Sequence, residues 1–216
     1  MSSLVQPIIV DKNGSHRNTL AAAAAASYAS WGLNRENPAW TEWLSDRFTK
    51  TVRRASVKDF AKVLTWCEET GIRPATIELQ DGSRALALPP MTYENFPNCV
   101  SRLQVSGTDF VRLDEVDDSS ADVLLYVDEL LTTGKAAAQV AHALWIANLG
   151  GMSSDNIKMA GLSLAVCVVS YAELNQIALR NDSFVVIDAG LTEVNPDTLT
   201  ACAVINANQV LSTSTE

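Results

Sequence analysis

The sequence is poor in the residues that build metal sites and disulfide frameworks. Its two histidines, His16 and His142, lie far apart in the chain, so a zinc site is not expected. None of its four cysteines forms a CxxC pair, and Cys167 and Cys202 lie within apolar runs. We therefore interpret the cysteines as buried free thiols in a reducing cytosol.

Long apolar runs are also missing. No run approaches the roughly 18 residues that a membrane-spanning helix needs. The first residues, "MSSLVQPIIVDKNG", lack the basic start and the long apolar stretch of a signal peptide. These features predict a cytoplasmic protein without a membrane partner. With 47% hydrophobic and 19% charged residues, the 216-residue chain can bury a sizeable core.

Basic residues are scarce in the second half of the chain. Residues 1–115 contain 13 lysines and arginines against 13 aspartates and glutamates, whereas residues 116–216 contain 3 against 12. The second half therefore carries the whole net charge of −9. Because this half alone would repel a polyanion, any contact with nucleic acid requires a basic patch from the first half.

Local patterns in the first half predict helices followed by a β-hairpin. The alanine-rich segment 18–33 is typical of a helix, and segment 37–71 carries a helical pattern with a break near Ser56. The Asp-Gly pair at 81–82 lies between two strand-like runs and is a strong hairpin signal. Residues 99–107 are interpreted as a further strand.

The second half alternates apolar strands with helices. Strands are predicted at 123–129, 162–171, 184–190 and 198–205, and helices at 133–149, 153–161 and 172–181. Near-continuous apolar strands require cover on both faces. We therefore expect an α/β fold, a three-layer α/β/α sandwich with a small mixed sheet of about four strands.

The acidic, serine-rich segment 111–122 is the candidate domain boundary. The expected division is an N-terminal extension at 1–115, helical with a β-hairpin, then an α/β domain at 116–205 and a flexible tail at 206–216. No internal repeat is visible in the sequence.

Three polar residues interrupt the alanine-rich helix "TTGKAAAQVAHA". Lys135, Gln139 and His142 follow i, i+4 and i+7 spacing, so they share one stripe of the helix. A lysine in the first helical turn is unfavourable unless an anion binds there, and Gly134 leaves room for close approach. This pattern predicts an anion site. The alternatives are a solvated surface lysine and hydrogen-bonded packing roles for Gln139 and His142.

A second group of polar residues lies in "VIDAGLTEVNPDTLT". Asp188 ends a predicted strand and Gly190 permits a sharp turn. Thr192 and Thr200 follow. A carboxylate at a strand end often faces a site in α/β folds, where it can serve as a general base. The alternative is a turn cap, with the threonines stabilising the turn.

The first half offers one candidate basic surface. Under the helical interpretation of "RFTKTVRRASVKDFAK", five basic residues fall on one stripe that could follow a phosphate backbone, namely Arg47, Lys50, Arg54, Lys58 and Lys62. The alternative is a solvated helix face with local ion pairs.

Together, "GKAAAQVAHA" at 134–143 and "DAGLTEVNPDTLT" at 188–200 resemble two motifs of the type-II peptidyl-tRNA hydrolases of archaea and eukaryotes, including actinobacterial variants. The resemblance covers roughly residues 121–205. It implies an α/β/α homodimer that hydrolyses the ester between peptide and tRNA, in translation, without a metal or cofactor.

Residue by residue, the resemblance implies catalytic roles for Lys135, Asp188, Thr192 and Thr200. Lys135 would hold a phosphate or stabilise the oxyanion, Asp188 would orient or deprotonate water, and the threonines would position the water or the ribose hydroxyl. Further substrate contacts are expected from Gly134, Gln139, Arg47, Lys50, Arg54 and Lys58, with His142 and Gly190 as structural support.

The chain departs from the family pattern at three places where a basic residue is usual, which are Thr133, Tyr126 and Ile187. Two alternatives to an active peptidyl-tRNA hydrolase follow from this loss. One is a weakly active or inactive binding protein on the same fold, and the other is a hydrolase of a smaller ester.

Overall fold

The chain forms two compact units. The computed structural model describes residues 3–112, 120–151, 163–190 and 193–206. The first unit comprises residues 1–112 together with 132–138, and the second comprises residues 113–131 and 139–216.

The described residues form two four-stranded sheets and six α-helices. The strands are β1 (Gln6–Asp11), β2 (Lys50–Ala55), β3 (Ala75–Glu78), β4 (Arg84–Ala87), β5 (Val123–Asp128), β6 (Leu164–Val169), β7 (Ser183–Asp188) and β8 (Thr198–Ile205). The helices are α1 (His16–Leu33), α2 (Ala39–Ser45), α3 (Val57–Thr70), α4 (Asn98–Ser101), α5 (Thr133–Gly151) and α6 (Tyr171–Ala178). No helix within these ranges is long and apolar enough to cross a bilayer.

The sheet of the first unit has the strand order β2-β1-β4-β3. Strand β1 is parallel to β2 and antiparallel to β4, and β3 pairs antiparallel with β4. All six residues of β1 are buried, so both faces of the sheet are covered. Helix α1 packs on β1, β3 and β4, and α3 packs on β1 and β2. The buried alanines of α1 allow its close approach to the sheet.

The sheet of the second unit has the order β6-β5-β8-β7. Its central strand β5 is parallel to β6 and antiparallel to β8, which pairs antiparallel with β7. The two sheets therefore have the same strand order and the same directions. The prediction of an α/β fold with a small four-stranded mixed sheet is confirmed, and the repeated topology was not visible in the sequence.

Two local predictions in the first half are wrong. Residues Lys50–Ala55 form strand β2, not part of a helix, because they pair with β1 along its whole length. Helix α3 begins only after Ser56, whose Oγ accepts the Asp59 N–H over 3.2 Å as an N-cap. Residues 99–107 are not a strand, since α4 occupies their start. The helix expected at 153–161 lies outside the described residues.

Candidate functional site

Three side chains of the second unit form a buried hydrogen-bonded group, which we call the carboxylate network. It consists of Gln139 in α5, Asp188 at the end of β7 and Thr200 in β8. Gln139 Nε2 donates to Asp188 Oδ2 over 2.7 Å, and Thr200 Oγ1 donates to Gln139 Oε1 over 2.9 Å. Only 9% of Asp188, 4% of Gln139 and none of Thr200 is exposed. Thus three predicted site residues from distant parts of the sequence lie together.

The direction of each hydrogen bond in the carboxylate network is fixed by chemistry. An ionised carboxylate only accepts, so the amide nitrogen of Gln139 must face Asp188. The amide oxygen then faces Thr200 and has no proton to give, so the Thr200 hydroxyl donates to it over 2.9 Å, a shorter contact than the 3.3 Å to the Val186 carbonyl. Thr200 therefore holds the amide in the orientation that serves Asp188.

A β-bulge supports the position of Thr200. Val186 pairs with Ala201 and Ile187 pairs with Leu199, so Thr200 is the extra residue of β8. A bulge of this kind redirects a side chain and is frequent next to active sites. The corresponding hairpin β3–β4 of the first unit keeps a regular register. The second unit therefore has a local distortion that the first unit lacks.

The turn after β7 fixes the other oxygen of Asp188. The Gly190 N–H donates to Asp188 Oδ1 over 2.8 Å, and the Asp197 N–H donates to the Asp188 carbonyl over 2.9 Å. Gly190 has φ of 73°, and a Cβ at this position would overlap Pro196. Only glycine meets both requirements. Both carboxylate oxygens of Asp188 are thus held by a donor fixed in the fold.

This arrangement suits a carboxylate that acts on water. Gln139 and Gly190 each donate one hydrogen bond to a different oxygen of the carboxylate, which fixes its orientation. A carboxylate held in one orientation can align water and remove its proton. Thr200 is fully buried, so we assign it the role of holding Gln139. The sequence had led us to expect that Thr200 would contact the water or the ribose hydroxyl.

The first turn of α5 differs from the predicted anion site. The Gly134 N–H donates to the Thr108 carbonyl over 2.9 Å, and the Lys135 N–H is directed to Thr132 Oγ1 at 3.5 Å. A Cβ on Gly134 would lie 3.1 Å from the Thr108 Cβ, so its space is taken by the chain itself. Backbone groups expected to hold an anion are therefore already engaged, and Gly134 has a packing role. Lys135 lies half-buried in this turn.

The roles predicted for Thr192 and His142 are not tested by the described contacts. Thr192 lies outside the described residues, so its predicted role stays a prediction. His142 is half-buried on α5. Its assignment as structural support also stays a prediction.

The predicted basic stripe does not exist as one helical face. Arg47 lies before β2, Lys50 and Arg54 lie in β2, and Lys58 and Lys62 lie in α3. The residues therefore lie on different types of backbone, and the helical spacing that aligned them does not apply.

Three members of that stripe have partners of their own, and one of them is Lys62, whose ammonium lies 2.7 Å from Asp59 Oδ1. The Arg54 guanidinium donates to the Gln104 side chain. The Lys50 ammonium lies 4.8 Å from the Trp43 ring centroid and 4.7 Å from that of Phe48, and it donates to the Phe48 carbonyl over 3.2 Å. Burial lowers the pKa of Lys50 well below its ordinary value. Lys50 is thus a buried residue of the first unit and unsuited to contact a phosphate.

No role was predicted from the sequence for the buried histidine His16. His16, at the start of α1, is 2% exposed, and its Nδ1 lies 2.8 Å from Thr133 Oγ1. The signal that was available is its position directly after Ser15, the N-cap of α1. No sequence pattern linked it to Thr133, because the two residues are 117 positions apart.

Comparison with protein-family models and with curated proteins gave no match to this chain.

Proposed function

We propose that this protein hydrolyses the ester bond between the peptide and the tRNA of peptidyl-tRNA, with Asp188 as the general base. The observation that supports this proposal is the carboxylate network, in which Gln139, Asp188 and Thr200 lie together at the end of β7. These residues come from the two motifs that resemble the type-II peptidyl-tRNA hydrolases.

In the proposed reaction, Asp188 accepts a proton from water while the water oxygen attacks the ester carbonyl carbon. The tetrahedral intermediate then collapses, the bond to the ribose oxygen breaks, and the proton passes to that oxygen. Gln139 and Gly190 keep the carboxylate in place during both steps. The resemblance assigns Lys135 the stabilisation of negative charge, and this role stays a prediction.

The test is release of peptide from peptidyl-tRNA by the purified protein. Asp188→Asn should lower kcat by a factor of about 100 or more, since a positioned general base contributes about 10²–10⁴-fold. Asp197→Asn is the matched control, because Asp197 is exposed and asparagine tolerates its φ of 62°.

A second pair of variants tests the network. Thr200→Val should lower kcat about five- to tenfold, the effect of one neutral hydrogen bond. Thr198→Val is the control on the same strand, because the Thr198 hydroxyl donates to the nearby Asn195 carbonyl over 2.7 Å and not to the carboxylate network. Lack of peptide release by the unmodified protein would contradict the proposal, as would full activity of Asp188→Asn.

A second candidate function is hydrolysis of a smaller ester. It is favoured by the burial of Lys50, the engaged N–H of Gly134 and the excess of acidic residues in 116–216. All three reduce the attraction for a polyanion. Activity on a short aminoacyl ester that Asp188→Asn abolishes and that tRNA does not inhibit would favour this candidate.

The proposal also includes a cytoplasmic homodimer, as the resemblance implies. Cys67, Cys99, Cys167 and Cys202 are all free thiols, which fits a reducing compartment. Burial raises the pKa of Cys67 and of Cys202 to about 12, so neither is a reactive thiolate at neutral pH.

A further inference from the structure

Residues 108–111 form a clip that ties the first turn of α5 to the first residue of α1. The Thr108 carbonyl accepts the Gly134 N–H over 2.9 Å, and the Phe110 N–H donates to Thr133 Oγ1 over 2.9 Å. The Val111 carbonyl accepts the His16 N–H over 2.9 Å. All of these residues belong to the first compact unit.

His16 completes this clip through its side chain. Its Nδ1 lies 2.8 Å from Thr133 Oγ1, and Thr133 is itself fully buried. Thr133 Oγ1 also lies 3.4 Å from Asp109 Oδ1. Either neutral tautomer of His16 closes the contact, since Thr133 can donate to the ring or accept from it while donating to Asp109. In both cases His16 Nε2 is buried without a hydrogen-bond partner among the described residues.

The contact between His16 and Thr133 lies in the same helical turn as Lys135. Thr133 is the first residue of α5, and Lys135 is two residues later in the same turn. Thr133 also stands where the family that the two motifs resemble usually has a basic residue. Here that position is used for a buried hydrogen bond with His16.

We propose that His16 is a positioning residue for Lys135, which it orients by holding Thr133 and with it the first turn of α5. The role of Lys135 that this serves rests on the proposed function. The contribution comes from the first half of the chain, outside the two motifs of the resemblance.

Three substitutions of His16 separate its two ring nitrogens. The side-chain amide of His16→Asn reaches the place of Nδ1 and retains the contact with Thr133, whereas that of His16→Gln reaches the place of Nε2. His16→Phe keeps a ring and removes both nitrogens. We expect kcat to stay within about twofold for His16→Asn and to fall about five- to tenfold for His16→Gln and His16→Phe. KM should change little in all three.

Substitutions of Thr133 test the same bond from the other side. Thr133→Ser keeps the hydroxyl and should retain activity, whereas Thr133→Val also removes the acceptor of the Phe110 N–H and should lose at least as much as His16→Phe. The double variant His16→Phe/Thr133→Val should be no worse than Thr133→Val alone, because that substitution already removes the contact with His16.

A readout independent of hydrolysis separates this inference from the proposed function. After reductive ¹³C-methylation, the dimethyl-lysine resonance of Lys135, assigned with Lys135→Arg, should shift in His16→Phe and Thr133→Val and stay unchanged in His16→Asn and Thr133→Ser. This measurement tests the link between His16 and Lys135 even if the protein hydrolyses no substrate. An unchanged Lys135 resonance in both His16→Phe and Thr133→Val would overturn the inference. Equal effects of His16→Asn and His16→Phe would also overturn it.

Discussion

The burial of His16 makes the stability of the protein depend on pH in a defined window. Burial lowers the pKa of His16 to about 4, Arg112 adds to this decrease and Asp109 opposes it. In the unfolded chain the pKa of a histidine is about 6.5. The native state therefore favours the neutral ring. The stability that this neutral ring contributes is fully present above about pH 6.5 and is lost as the pH falls from about 6.5 towards 4.

The size of this loss follows from the difference between the two pKa values. Each pKa unit corresponds to about 1.4 kcal/mol. His16 should therefore lower the free energy of unfolding by about 2 kcal/mol at pH 5 and about 3 kcal/mol at pH 4, relative to pH 7. Below pH 4 the ring is protonated in both states and the loss no longer grows.

Urea unfolding of the unmodified protein and of His16→Asn, measured at half-unit steps between pH 7 and pH 4, isolates this contribution. Other groups titrate equally in both proteins, so the difference between their free energies of unfolding reports His16. Between pH 7 and pH 5 the free energy of unfolding of the unmodified protein should fall by about 2 kcal/mol more than that of His16→Asn. His142→Asn, which removes the other histidine, is the control and should keep the pH dependence that is assigned to His16. A difference that stays constant with pH would refute the assignment of a neutral, buried His16.

Three further substitutions test the packing and the network. Gly190→Ala should destabilise the protein by at least about 2 kcal/mol in thermal or urea unfolding, since alanine is strained at positive φ and its Cβ meets Pro196. Gly32→Ala, with no atom within 4 Å of the added Cβ, should stabilise α1 by up to about 1 kcal/mol, and a loss there would contradict the helix assignment. Gln139→Leu should cost about 2–3 kcal/mol, because it leaves the buried Asp188 carboxylate without one donor, and an unchanged unfolding midpoint would argue against the network.

The sequence located the members of the carboxylate network better than their roles. Asp188 was recognised at a strand end and Gln139 on the polar stripe of α5. Thr200 was expected to contact water or substrate, yet the bulge in β8 turns it to the amide of Gln139. A bulge depends on how two strands align, and the residues of one strand do not encode that alignment.

The basic stripe shows why local periodicity failed in the first half. The spacing of Lys50, Arg54 and Lys58 fits a helix, but residues Lys50–Ala55 find backbone partners in β1, more than 40 positions earlier. Pairing with β1 engages the backbone groups on one side of this edge strand, and most of its side chains are buried, which outweighs a weak helical preference. The same long-range pairing produced the first sheet, whose order equals that of the second.

By itself, the sequence determined the features that depend on neighbours a few residues apart. These are the apolar strands of the second half, the helix that carries Lys135 and Gln139, and the glycine turn after Asp188. Tertiary structure alone decided what each polar group contacts. It placed Gln139 between Asp188 and Thr200, directed the Gly134 N–H to Thr108 and brought His16 to Thr133. The physical reason is that a buried donor or acceptor must find a partner, and in a folded chain that partner can come from any distance along the sequence.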